Sequence, residues 1–246
     1  MAPNFYGFLF AAGESKRFYP FDKKFYQFDF GSLIDLNLTV LQKYGINPII
    51  FVDEHQDYST FCSIYQNHKN LQMVPVDTRE IGSFGTFLEM IKFSKQNKIK
   101  DILLFDSDII FDPTMLDLLL DDPRYKVCLS SPLDYKTNDE VFIFTNKTNI
   151  IKKMSKIYHC DSKYNFPKSH FIGITKFCIK EEDEYHRLEK KFINKINNEK
   201  RLLHWEEDGI VMFNVHNLIT DKKWFELDFY EHIKKCENVY RQIYQK

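Results

Sequence analysis

Three short stretches hold the residues best suited to chemistry. The first, FLFAAGESKRFYPFDKKF (residues 8–25), ends an apolar run in Ala11, Ala12 and Gly13, then presents Lys16, Arg17, Lys23 and Lys24. Gly13 permits a sharp turn, and the amides after it can face an anion. Three or four cations converging on one loop suit a triphosphate, whose charge must be neutralised before a nucleophile can approach. The spacing matches neither the Walker pattern nor GxGxxG, and a solvated basic loop would carry the same residues. The second stretch, LLFDSDIIFD (103–112), places Asp106 and Asp108 at the end of an apolar strand. Carboxylates there are hard oxygen ligands for Mg²⁺, which takes one or two of them together with phosphate oxygens. Asp108 is the favoured metal ligand, whereas Asp112 before Pro113 reads as a helix N-cap with proline at N1. The third stretch, WFELDFYEH (224–232), puts Asp228 between a strand and the last helix, with Glu226 two residues earlier. Read alone, Asp228 is a helix N-cap.

The elements that must position these residues follow from periodicity. Apolar, β-rich runs at 5–10, 48–52, 71–76, 101–105 and 126–129 predict strands. Between them, Leu33, Leu36, Val40 and Leu41 share a helical face that stops at Gly45, and Phe84, Phe87, Leu88 and Ile91 repeat the pattern. The second half reads differently. EVFIFTNKTNIIKKM predicts a hairpin, SHFIGITKFCI a strand, 181–199 a charged helix with Tyr185, Leu188, Phe192 and Ile196 inward, KKWFELDF a late strand, and 229–244 an amphipathic helix on Phe229, Cys236, Tyr240 and Ile243. Strand–helix alternation with near-continuous apolar strands predicts an α/β fold: one domain over 1–246, with a Rossmann-like, mostly parallel sheet flanked by helices and a small β-rich subregion. Ligands of such sheets bind at the carboxyl ends of the strands, so the first two stretches share an edge.

Composition bounds the partners. A formal net charge of −1 over 246 residues argues against a dedicated nucleic-acid binder, which would normally show a basic excess. The five cysteines (Cys62, Cys128, Cys160, Cys178 and Cys236) are odd in number, scattered and without a CxxC pair. They read as reduced thiols of a cytoplasmic protein. No run approaches the roughly 20 apolar residues that span a bilayer. FYGFLFAA resembles a signal-peptide core, but no positive charge precedes it, and it is kept as structure.

Taken together, the stretches resemble the nucleotidyltransferases with a GT-A-like fold, which load a nucleoside monophosphate onto sugar phosphates, phosphocholine and related phosphonates. FLFAAGESKRFYPFDKKF resembles their opening strand and basic loop, GSLIDLNLTVLQKYGINPIIFV the next helix and strand, LLFDSDIIF the strand ending in the metal-binding aspartate, SHFIGITKF the strand whose Gly-Ile approaches the acceptor, and WFELDF the late Glu-Ile-Asp segment. The likeness spans nearly the whole chain. It departs from the pattern at Glu14-Ser15, where a second glycine is usual, and at Asp22-Lys23-Lys24, where Pro-Lys is usual.

The resemblance implies Mg²⁺ on Asp108 and Asp228, Arg17 on the β- and γ-phosphates, and Lys24 or Lys23 nearer the α-phosphate. Ala11, Ala12, Gly13 and Lys16 would hold the nucleotide, CTP being favoured, together with Gly82, Ser83, Thr86 and Asp106. A half spanning about 1–130 would bind nucleotide and a half spanning about 131–246 the acceptor. Acceptor residues would be Lys156, which reads equally well as a surface lysine, and Gly173. Trp205, Glu206 and Asp208 of HWEEDGIV would suit a cationic acceptor, while an acidic helix start with a buried tryptophan explains them slightly better. A homodimer is allowed. Two other readings compete: a GT-A glycosyltransferase, which DSD permits but the basic loop disfavours, and an inactive homologue that senses nucleotide, which Arg17, Lys24, Asp108 and Asp228 argue against.

Overall fold

Alternation within the first strand explains the layering. In β1 (Tyr6–Ala11) Phe8 and Phe10 enter one apolar cluster, and Leu9 and Ala11 enter another on the opposite face. A strand buried on both faces needs helices on both. The computed structural model describes residues 4–245 except 14–15, 69, 80, 134–140, 157–165 and 200, and the side chains of Lys16 and Glu182 also fall outside it.

The elements run α1 (Leu33–Lys43), β2 (Asn47–Asp53), α2 (Tyr58–Tyr65), β3 (Gln72–Val76), α3 (Ser83–Gln96), β4 (Asp101–Asp106), β5 (Ile109–Phe111), α4 (Met115–Leu120), β6 (Lys126–Pro132), β7 (Phe142–Thr145), β8 (Ile151–Ser155), β9 (Ser169–Cys178), α5 (Glu182–Asn198), β10 (His216–Ile219), β11 (Trp224–Glu226) and α6 (Ile233–Tyr244). The main sheet has the order β10-β6-β9-β4-β1-β2-β3. Strands β4, β1, β2 and β3 are parallel, β9 runs antiparallel between β4 and β6, and the β7–β8 hairpin joins through β9. The expected mixed, mostly parallel α/β sheet is therefore observed. Phe84 and Phe87 of α3 and Phe192 of α5 cover one face; Ile34 of α1, Phe61 of α2 and Met115 of α4 cover the other.

Local chemistry sets the helix ends. Ser32 caps α1 reciprocally with Asp35, and Gly45 (φ +66°) closes it, with the Gly45 and Ile46 amides donating to Gln42 and Leu41. Asp112 departs from its expected role as an N-cap. Helix α4 starts at Met115 behind Thr114, and Asp112 Oδ1 accepts from the Thr114 amide and hydroxyl in a turn that precedes the helix. Asp228 is not a cap either: the 3₁₀ turn Tyr230–His232 leads into α6, with Phe229 at the cap position. Among the described residues no helix is long and apolar enough to cross a membrane. Cys62, Cys128, Cys178 and Cys236 are free thiols, and Cys160 lies outside the described residues.

Candidate active site

The carboxyl ends of β1 and β4 are adjacent, because the two strands pair in parallel with Phe10 opposite Asp106. A second, two-stranded sheet completes the site. Strand β11 pairs antiparallel with β5, Glu226 opposite Ile109, and the Leu227 amide donates to the Asp108 carbonyl at 2.9 Å. This stitch brings Asp108, Glu226 and Asp228 together, with ligand oxygens all within 4.8 Å of one another. Glu226 was the residue the sequence left without a role. Its signal is the two-residue alternation of an extended segment, which turns Glu226 and Asp228 the same way.

These carboxylates open into a cleft of about 180 Å³. Ala11, Ala12 and Gly13 line it beside Arg17, Lys23 and Lys24, and Ser83, Thr86, Asp106, Ser107, Lys156, Trp205 and Glu206 complete its wall. Most of the sequence-predicted residues thus converge. Three described residues stand outside the lining, and the side chain of Lys16 lies outside the described residues. Gly82 starts α3 against the Leu203 carbonyl. Gly173 (φ +89°) backs Asp106, since a Cβ there would lie 2.7 Å from Asp106 Oδ2, so only glycine lets β9 pass this close. Asp208 is buried and held by Arg201 at 2.7 Å, Lys195 at 3.1 Å and the His204 amide at 2.9 Å.

The two adjacent lysines have different surroundings. Lys23 Nζ contacts Asp108 and lies 3.6 Å from Asp228 Oδ1. Burial lowers its pKa, but the carboxylates of Asp108, Asp228 and Glu226 outweigh this and raise it overall. Lys24 is buried and donates to the Gly13 carbonyl at 2.9 Å and to Asp57 Oδ2 at 2.5 Å. It therefore ties the loop after β1 to the start of α2. Arg17 donates to Asp228 Oδ1 at 2.7 Å and lies 5.0 Å over the Phe229 ring.

The cleft is rich in unsettled negative charge. Burial, and then repulsion from Asp108, Glu206 and Glu226, pushes Asp106 well above the usual carboxylate range. Glu226 rises for the same reason, burial first and then Asp108 and Asp228. Glu206 is also raised by burial, and its Oε2 is buried without a hydrogen-bond partner among the described residues. Trp205 is only 3% exposed, with its ring against Phe10, Phe87 and Phe171, so the tryptophan is chiefly core. The donor set of Asp108, Glu226 and Asp228, hard oxygens drawn around a cation that Lys23 supplies here, fits a divalent metal such as Mg²⁺.

No family model matches the sequence, and no curated protein matches it. Solved structures do. The chain is similar to the CTP:phosphocholine cytidylyltransferase of Streptococcus pneumoniae, at TM-score 0.71 and 16% identity over 96% of this chain and 99% of that one. It is similar to the inositol-1-phosphate CTP transferase of T. maritima at TM-score 0.66 and 16% identity, covering 99% and 98% of the two chains. A Bacillus anthracis protein assigned as a glucose-1-phosphate thymidylyltransferase, solved with a sucrose, aligns at TM-score 0.69 and 13% identity over 97% and 96%. The chain is built on the sugar-phosphate nucleotidyltransferase fold.

Proposed function

We propose that this protein is a Mg²⁺-dependent nucleotidyltransferase that transfers a nucleoside monophosphate, CMP from CTP, to a small phosphorylated acceptor and releases pyrophosphate. One observation carries the reading: a cluster of three carboxylates and a cationic loop meet in one cleft at the strand ends of this fold. The first half of the chain, about 1–130, supplies most of the nucleotide site, and about 131–246 supplies the acceptor side.

An acceptor phosphate oxygen forms the new bond to the α-phosphorus, and the bond to the β-phosphate oxygen breaks, its electron pair leaving with pyrophosphate. The attacking monoester is largely dianionic near neutral pH, its second pKa being about 6, so no protein base is needed. What the chain must do is position two anions and neutralise them. Asp108, Glu226 and Asp228 would hold Mg²⁺, whose charge polarises the α-phosphate. Arg17, half exposed beside Asp228, turns to the leaving phosphates, and Lys23 takes the phosphate contact. Lys24 holds the Gly13 backbone in place from its seat on Asp57. Residues 11–13 with Ser83 and Thr86 bind the nucleoside, and Lys156 meets the acceptor phosphate at the rim. Glu206 offers its buried oxygen to a donor or ammonium on the acceptor, which favours phosphocholine-like molecules. Such an enzyme works where nucleoside triphosphates are, in the cytoplasm.

Pyrophosphate release tests the reading, with the four common NTPs crossed against phosphocholine, aminoethylphosphonate and a panel of sugar 1-phosphates in Mg²⁺. Release with one NTP only when an acceptor is present is expected. Silence across the panel, with hydrolysis of a nucleotide sugar by the same sample, would overturn it in favour of a glycosyltransferase.

A further inference from the structure

We infer that Lys23 is an internal counter-ion of the carboxylate cluster, released to the phosphates when nucleotide binds, so that divalent cation and nucleotide bind with positive coupling. The inference rests on the nucleotide-binding reading above. Three carboxylates within 4.8 Å in a part-buried cleft repel one another, and that repulsion is relieved by a cation among them. Lys23 supplies it, in contact with Asp108 and 3.6 Å from Asp228, its side chain and that of Asp108 each only 15% exposed.

Its neighbour shows what a structural lysine looks like in this loop. Lys24 is fixed by the Gly13 carbonyl and by Asp57, which lies outside the cluster, and no incoming metal competes for either. The partners described for Lys23 are carboxylates of the cluster, the same atoms that a divalent ion would claim. Lys23 is therefore a competitor of the metal. If displaced while the cleft holds no phosphate, its ammonium would lie beside a dication and give up the two carboxylates it now meets. A triphosphate changes that balance. Lys23 then exchanges carboxylate oxygens for phosphate oxygens, and its flexible four-carbon stem allows the swing. Because coupling between two ligands is reciprocal, whatever nucleotide does for metal affinity, metal does for nucleotide affinity.

The test uses the full chain and two binding measurements, neither of which needs turnover. In the first, Mn²⁺ binding without nucleotide is read from the free Mn²⁺ signal in electron paramagnetic resonance. Lys23→Met, which keeps the stem and removes the charge, should bind Mn²⁺ about tenfold or more tightly than wild type. Lys92→Met, which removes a lysine of α3 that pairs with Glu89 and does not line the cleft, should change it less than about twofold. Adding Asp108→Asn to Lys23→Met should abolish the gain. In the second, calorimetry with CTP, ATP, GTP and UTP in EDTA should show Lys23→Met losing about tenfold in metal-free affinity for the NTP that wild type binds. Lys23→Gln serves as a second variant if near-ultraviolet dichroism shows that Lys23→Met misfolds. Equal Mn²⁺ affinity in wild type and the Lys23 variant, or unchanged metal-free NTP affinity, would overturn the inference. Failure of wild type to bind any of the four NTPs with Mg²⁺ present would instead overturn the functional reading on which it rests.

Discussion

The cleft and the turn at 201–208 both gather carboxylates and cations, but with opposite balances. In the turn, Asp208 meets Arg201, Lys195 and the His204 amide, with Glu199 at 3.7 and 3.8 Å from the same two cations; burial tends to raise the pKa of Asp208, but its partners outweigh it and leave it below the ordinary range. In the cleft, Asp108, Glu226 and Asp228 crowd around Lys23 with Arg17 beside them, and Asp106 and Glu226 are driven up. One cluster is complete, and its charges serve the fold. The other has negative charge to spare, which is available to a ligand. An ion pair by itself says little about function; the imbalance around it says more.

Mutating the unbalanced side should cost activity, and mutating the balanced side should cost stability. The largest effect is expected at Asp108. Asp108→Asn should lower kcat by about 10³-fold or more with thermal unfolding nearly unchanged, since it removes a ligand of the metal that neutralises the reacting phosphates. Full activity of this variant in Mg²⁺ would remove the metal assignment. Next comes Arg17→Ala, with a loss of about 10²-fold in kcat/KM, partly recovered in Arg17→Lys because charge is kept but the fork geometry is not. Glu206→Gln should follow, raising the acceptor KM about tenfold with kcat and nucleotide KM little changed, because it alters one buried contact to the acceptor. A kcat loss without a KM change would place Glu206 with the reacting phosphates.

Legibility of the site in the sequence followed a physical pattern. Strand ends and charge spacing are local, so the basic loop with Arg17, the place of Asp108 and a mostly parallel sheet were readable, whereas Asp228, read alone as a helix N-cap, entered the site only through the family resemblance. The late strand that holds β11 is predicted, but the three-residue β5 is too short for periodicity, and it is the pairing of the two that recruits Glu226. Adjacent residues pose a harder problem. Nothing in Asp-Lys-Lys says which lysine faces the cluster, because the answer depends on Asp57, 33 positions from Lys24. In HWEEDGIV, alternate acids in a π-helical turn part company, Glu206 into the cleft and Asp208 onto Arg201. A sequence shows the acids; only the turn separates their partners.

The smallest effect falls on the balanced side, and its pH dependence carries the argument. Asp208→Asn should lower unfolding free energy by about 2 kcal/mol near pH 7, the worth of charge-assisted hydrogen bonds to partners that are themselves part exposed. Activity and KM should be unmoved. The folded pKa of Asp208 is depressed below its ordinary 3.8, so the unfolded chain takes up the proton first as pH falls. Its contribution is therefore complete above about pH 3.8, the unfolded value, and is lost below it, as pH falls through the folded pKa. Urea unfolding of wild type and variant should then show the same gap at pH 7 and pH 5, narrowing only as pH is taken below 3.8. A gap that closes between pH 7 and 5 would mean that the carboxylate is not stabilised by its cations, and Asp208 would have to be grouped with the strained carboxylates of the cleft.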